Sequence, residues 1–327
     1  HTHWLTDETL AWLRQRQPEQ PFFCWLSYLD PHHPFCPPRP YCDLHDPDDL
    51  PDPIALQEDL ADKPPHYRWQ REGQHFYYGS FDTGQGGVGR HAREIKAHYY
   101  GMISFVDEQI GRVLAELDRL GLRENTHVIF TSDHGDALLD HDVFGKPPLA
   151  YESILRVPLL WRHPPLVRAG RVHTGVMTQL DFAPTVLELA GAPPLPGMEG
   201  RSFASLLGGL ADEHRDAVVV ERIALERHTS EPVVRYKTLI TEQWKLVHYG
   251  SASAGELYDL KADPEQRVNL WSHPGHADQR RNLAERLLTE LIDSELGDAA
   301  QLWRRQREEP FGALRDLRRS ESSWPDA

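Results

Sequence analysis

Apolar residues between Ala92 and Leu120 recur three and four positions apart, at Ile95, Tyr99, Met102, Ile103, Val106, Ile110, Val113, Leu114 and Leu117, and so line one side of a helix. Gly121 follows as its stop, since glycine takes the left-handed turn that ends helices without a Cβ clash. The period then shortens. His127 to Thr131 is rich in β-branched and aromatic residues and predicts a covered strand, and Val157 to Trp161 predicts another. Nearer the start, Trp4, Leu5, Leu10, Trp12 and Leu13 predict a helix over residues 4–16, and Pro21 to Tyr28 reads as a strand. Asp181 to Ala190 reads as a short helix with Asp181 as its cap, Pro184 in the first turn and Gly191 past the end. Val218 to Val220 predicts a buried strand. Tyr236 to Ile240, Gln243 to Tyr249 and Glu256 to Leu260 predict a small antiparallel meander, followed by a helix near His276 to Ser294. Helices leading into buried strands in this way mark an α/β chain.

The strand at His127 runs straight into Ser132-Asp133-His134-Gly135-Asp136. Ligands of open α/β sheets collect beyond the carboxyl ends of strands, and Gly135 lets the backbone bend sharply there. Asp133 offers an oxygen donor and His134 a nitrogen donor for a divalent cation. In Phe144-Gly145-Lys146-Pro147-Pro148, the Lys146 ammonium can neutralise an anionic oxygen. Taken alone, these residues describe a polar turn and a solvated lysine; their surroundings carry the argument. Gly84-Gln85-Gly86-Gly87-Val88-Gly89 satisfies G-x-G-x-x-G, but only a weak strand candidate precedes it and no parallel partner follows promptly, so it reads as a loop and not as a dinucleotide cradle.

With 327 residues, 39% of them hydrophobic, the chain can bury a sizeable core as one large or two smaller domains. No run approaches the roughly 20 apolar residues of a spanning helix. A net charge of -15 argues against a nucleic-acid partner and makes a local cationic pocket more necessary for an anionic substrate. Three cysteines without metal-type spacing describe no disulfide framework and slightly favour a reducing, cytoplasmic compartment. From Cys36 to about Gly89 the chain is rich in Pro, Asp and Gly, which predicts a long surface insertion of the kind that is commonly functional.

Several segments, in unchanged order, resemble the sulfatase family of the alkaline-phosphatase-like superfamily. They are Pro31-His32-His33-Pro34-Phe35, Thr131-Ser132-Asp133-His134-Gly135-Asp136, Gly145-Lys146, Arg156-Val157-Pro158-Leu159-Leu160, Gln179-Leu180-Asp181-Phe182-Ala183-Pro184-Thr185, Gly200-Arg201-Ser202 and Glu256-Leu257-Tyr258-Asp259-Leu260. The resemblance implies an α/β/α sandwich with a mostly parallel mixed sheet, plus a small C-terminal antiparallel sheet with a helix. It divides the chain into a partial α/β domain over 1–215, a strand with the antiparallel subdomain and helix over 216–297, and a charged tail over 298–327. It assigns Asp133 and His134 to a divalent metal, calcium or manganese. Lys146 matches the lysine that contacts sulfate, and His32 matches the histidine that binds the ester oxygen or assists the leaving group. His33 is the nearest rival to His32 and reads as a packing residue or as a support for the site residues. Asp136, Asp140 and His141 could each support the site side chains but read rather as stabilising their loop.

What the resemblance requires upstream is not found. The family's formylglycine arises from a Cys/Ser-x-Pro-x-Arg signature; Cys24, Cys36 and Cys42 each lack that frame, and Cys36-Pro37-Pro38-Arg39 brings its arginine one residue early. The paired aspartates that complete the metal shell have no counterpart before residue 21. The expectation is therefore a fragment whose missing amino-terminal part holds the first strands, the formylglycine and two metal ligands, with little turnover by itself. The implied activity is hydrolysis of small anionic sulfate esters, with oligomeric state left open. The alternatives are a phosphonate monoester or phosphodiester hydrolase, which an imidazole at His134 admits, and a non-catalytic remnant that binds a ligand or partner.

Overall fold

A computed structural model of the chain describes residues 1–54, 63–64, 66–67, 90–224, 234–250 and 254–308. They fall into two compact units, one built mainly from His1–Arg171 and the other from Val172–Ile223, Arg235–Lys261 and the segment from Leu270 onward. The glycine-rich run at 84–89 and the end of the tail lie outside the described residues.

In the first unit, helix α1 (Thr2–Gln15) packs against α2 (Arg90–Arg119). The buried Glu116 carboxylate ties the two, accepting Arg14 Nε and Nη2 at 3.0 and 3.2 Å and Arg119 Nε at 3.0 Å. The stop predicted at Gly121 is present: its φ is +68°, its amide donates to the Asp118 carbonyl, and the Leu122 amide donates to that of Leu117. These two bonds satisfy carbonyls that the last helical turn leaves open. Midway along α2, Gly101 lies so close to the turn Tyr41–Asp43 that a Cβ would run into the Tyr41 carbonyl. Tyr41 closes the contact with a 2.6 Å bond to Glu108.

Strand β1 (Val128–Thr131) pairs antiparallel with β2 (Leu159–Arg162), Val128 opposite Arg162. Both strands lie where the apolar runs predicted them. The mostly parallel arrangement that the resemblance implied is not found among the described pairings, which are antiparallel wherever a register is given. The strand predicted over Pro21 to Tyr28 does not form: no described strand pairs with it, and Phe23, Trp25 and the following Leu29 are exposed at 73%, 78% and 62%. Between β1 and β2 stand a tight turn at Asp140–Asp142 and the one-turn helix α3 (Glu152–Leu155).

The second unit contains helices α4 (Phe182–Leu189) and α5 (Ala204–Leu207) and a sheet in the order β3 (Ala217–Ala224), β4 (Val234–Thr241), β5 (Trp244–Tyr249) and β6 (Gly255–Asp259). Strands β4 to β6 form the expected meander. Alternation along the strands puts Leu239, Leu246 and Leu257 side by side, and they pack with Leu283 and Leu287 of α6 (Ala277–Glu308). Each such leucine contributes about 1.5–3 kcal/mol when fully buried. Helix α6 runs well beyond the predicted end near Ser294, because residues 295–308 are mostly strong helix formers that carry it past Gly297.

Asp181 departs from its predicted role. It precedes α4, but its carboxylate makes no bond to the helix amides. Fully buried, it accepts Arg215 Nε and Nη2 at 2.9 and 2.6 Å, His214 Nε2 at 2.8 Å and the Arg201 amide at 2.8 Å. A buried carboxylate left unpaired would cost far more than an uncapped helix end, so the ion pair takes the side chain.

Candidate active site

At Thr131 the strand gives way to a loop whose side chains bond to their own backbone. Ser132 Oγ donates to the His134 carbonyl at 2.9 Å, and Asp133 Oδ1 accepts the His134 amide at 2.9 Å. His134 Nδ1 lies 2.8 Å from the Gly135 carbonyl. A carbonyl only accepts, so Nδ1 carries the proton and Nε2 of the neutral ring presents a lone pair. That Nε2 stands 3.5 Å from Asp133 Oδ2, and the carboxylate is open to solvent. Neighbouring donors about 2.2–2.5 Å from one six- to eight-coordinate cation are separated by roughly 3–3.5 Å, so the pair is compatible with two positions of a calcium or manganese shell. Among the described residues no group of three or more His, Cys, Asp or Glu side chains could hold a metal.

Gly135 is a steric requirement. Its amide donates to the Ile154 carbonyl at 2.8 Å, and a Cβ would collide with the Ser153 carbonyl. From there the chain enters a coil in which Leu138, Leu139, His141 and Asp142 all have positive φ, between 45° and 71°. Non-glycine residues in that region cost on the order of 1 kcal/mol each, so the surroundings must hold the coil. Asp140 accepts the Ile54 amide at 2.9 Å and lies 3.6 Å from Lys96 Nζ, while the His141 ring stacks on Tyr151 at 3.8 Å. Both residues secure the loop, as expected.

Asp136 does more than that. Oδ1 accepts the Leu138 amide at 3.0 Å, and burial pushes the carboxyl above its ordinary pKa against the opposing pull of that amide, Lys146, His33 and His134. Its partners are the candidate site. His33 is shifted the other way: burial, His32 and Lys146 lower its pKa, and Asp136 raises it. Tyr99 of α2 is pushed up to about 12 by burial and by Asp136 and Asp133. Residues separated by up to 113 positions therefore act on one another electrostatically at the end of β1. Sequence reasoning placed His33 and Asp136 in supporting roles and left Tyr99 on a helix face; the one signal available for Tyr99 was its position on the predicted apolar stripe.

His32 lies beside His33, ring centroids 4.0 Å apart, and its Nδ1–H donates to the His33 carbonyl at 2.7 Å. Nε2 is thus the nitrogen left to exchange a proton. Beyond Gly145, which has φ +72° and accepts the Ala137 amide at 2.7 Å, Lys146 stands half-buried.

A carboxylate and an imidazole beyond the end of a β-strand, with a lysine in their field, describe an anion-handling α/β protein of the alkaline-phosphatase-like superfamily. The chain belongs to the sulfatase family: the Sulfatase model matches residues 1–192, and the model for the C-terminal part of N-sulphoglucosamine sulphohydrolase matches residues 140–293. An arylsulfatase of Clostridium perfringens is 31% identical over 301 residues, 90% of this chain and 59% of the relative. Among solved structures, one in complex with its substrate D-glucosamine-2-N,6-O-disulfate has a TM-score of 0.78 at 22% identity, covering 91% of this chain and 70% of the other. The phosphonate monoester hydrolase of Silicibacter pomeroyi gives a TM-score of 0.77 at 25% identity, covering 90% and 60%. The chain spans between 34% and 59% of the length of the first curated relatives it matches.

Proposed function

We propose that this chain carries the metal-binding and anion-binding half of a sulfate ester hydrolase. What supports the reading is the Asp133–His134 pair beyond β1, its Nε2 and Oδ2 3.5 Å apart, together with the 2.7 Å Ala137–Gly145 bond that brings the Lys146 loop back to it. Asp133 and His134 would hold a divalent cation, calcium or manganese, which when bound polarises the sulfate oxygens as a Lewis acid. The Lys146 ammonium neutralises a non-bridging oxygen, an interaction that strengthens as charge develops on the ester. His32 gives a proton from Nε2 to the departing oxygen, its Nδ1–H being engaged by the His33 carbonyl. No cysteine of the sequence heads the Cys-x-Pro-x-Arg frame, so turnover requires a nucleophile that these residues do not supply.

Calorimetry with inorganic sulfate and manganese, run beside an aryl sulfate assay, tests this. The expected result is sulfate binding that Lys146→Ala abolishes, with little or no turnover. Equal binding by wild type and Lys146→Ala would refute the anion site, and turnover at the rate of an intact enzyme would refute the need for a further nucleophile.

A second reading, hydrolysis of phosphonate monoesters, is supported by the likeness to the Silicibacter pomeroyi enzyme and by the imidazole donor at His134. It gains if phenylphosphonate binds markedly tighter than sulfate and loses if sulfate binds tighter. Binding that is insensitive to Lys146 and His134 alike would favour a non-catalytic remnant.

A further inference from the structure

The histidine turn and the lysine loop are about 110 residues apart in sequence, yet Lys146 acts on His33. One side chain bridges them. The Phe35 ring, two residues after His33, meets Phe144, two residues before Lys146, at 5.8 Å and 65°. It also meets Tyr99 of α2, at 5.4 Å and 90°. Both are edge-to-face arrangements, which fix the mutual orientation of rings more tightly than apolar contact alone. Phe35 also packs on the buried cluster of Ala92, Ile95, Leu139 and Phe144. Its carbonyl accepts His98 Nδ1–H at 3.2 Å, so both backbone and ring of this residue are anchored to α2.

From this geometry we infer that Phe35 is a positioning residue: its ring, clasped between Tyr99 and Phe144, sets the distance between the His32–His33 turn and the Lys146 ammonium. Phe35 is itself apolar and acts only through the groups on either side. A phenylalanine in a Pro-His-His-Pro-Phe turn would pass for general core in the sequence; the two ring contacts, one to each partner segment, give it a specific task. The inference rests on the anion-site reading for its functional meaning, whereas the spacing of turn and loop can be measured without any anion.

The test compares the full chain with Phe35→Leu and Phe35→Ala. Leucine keeps apolar volume and loses the ring edges, so it reports on the clasp even if alanine unfolds the unit. Histidine NMR titration is the readout, with the His33 resonance assigned through His33→Gln. Burial, then His32 and Lys146, hold the His33 pKa low, and Asp136 acts the other way. Loosening the clasp is expected to raise the His33 midpoint toward that of an ordinary imidazole in both variants, with a folded spectrum retained in Phe35→Leu. Sulfate affinity should fall about tenfold. Phe35→Tyr, which retains the ring, should keep the native midpoint. An unchanged His33 midpoint in a folded Phe35→Leu overturns the inference. Absence of sulfate binding in the wild type would instead sink the anion site and leave the titration to decide the role of Phe35.

Discussion

The amide of Ala137 donates to the carbonyl of Gly145 across 2.7 Å, tying the residue after Asp136 to the residue before Lys146. The intervening coil is packed inward at Leu139, His141, Val143 and Phe144, and the carboxylate–imidazole loop and the ammonium are delivered by one closed segment. Their spacing therefore depends on backbone geometry at the base of that segment.

Gly135 is the most sensitive point of that base. In Gly135→Ala the new methyl meets the Ser153 carbonyl, an obstacle with no rotamer to move aside. Overpacking of this kind costs about 1–3 kcal/mol. Thermal denaturation should show a clear loss of stability, and a melting temperature equal to that of the wild type would mean that the loop yields easily.

For the metal, the donor pair predicts weak binding of manganese by this chain and a loss of at least about tenfold in His134→Ala, since one of only two described donors disappears. Manganese titration followed by electron paramagnetic resonance measures the loss.

Glu116 contributes one part of the pH dependence of the first unit. Hydrogen bonds from Arg119 and Arg14 hold its pKa down at about 2. A carboxyl depressed in the folded state stabilises fully above its unfolded value, near 4.5, and that contribution drains away as the pH falls through about 2. The melting temperature of wild type minus that of Glu116→Gln should be constant above about pH 5 and shrink steadily in acid. A difference that grows in acid would contradict the assignment.

Asp181 plays the corresponding part in the second unit. Burial alone would raise its pKa, but Arg215, the Arg201 amide and His214 outweigh burial and hold it below the ordinary value. Asp181→Ala leaves the largely buried Arg215 without its counter-charge, and breaking a buried pair from one side costs about 3–5 kcal/mol. Urea denaturation should register that loss, whereas a near-neutral result would show that water reaches Arg215.

How much of this was legible depended on the distance over which the determining interaction acts. The stripe from Ile95 to Leu117, the stop at Gly121, the strand entering Asp133 and the leucines of the meander are local patterns, and the structure keeps them. Asp181 was misread because the residues that claim its carboxylate lie 33 and 34 positions away, where no periodicity announces them. Asp136, His33, Tyr99 and Phe35 share that difficulty: each is ordinary in its own segment and acquires its role when three segments meet. The pairing direction of β1 was equally out of reach, since apolar runs specify burial and say little about which way a neighbour runs.

Phe23, Trp25 and Leu29 give the protein a colloidal character of its own. Apolar carbon left wet along a segment that pairs with no described strand gains by meeting another such surface and releasing its hydration water. Scattered light should then rise with protein concentration faster than mass alone dictates, and exchanging Trp25 for a charged residue should flatten that rise without disturbing the buried interior.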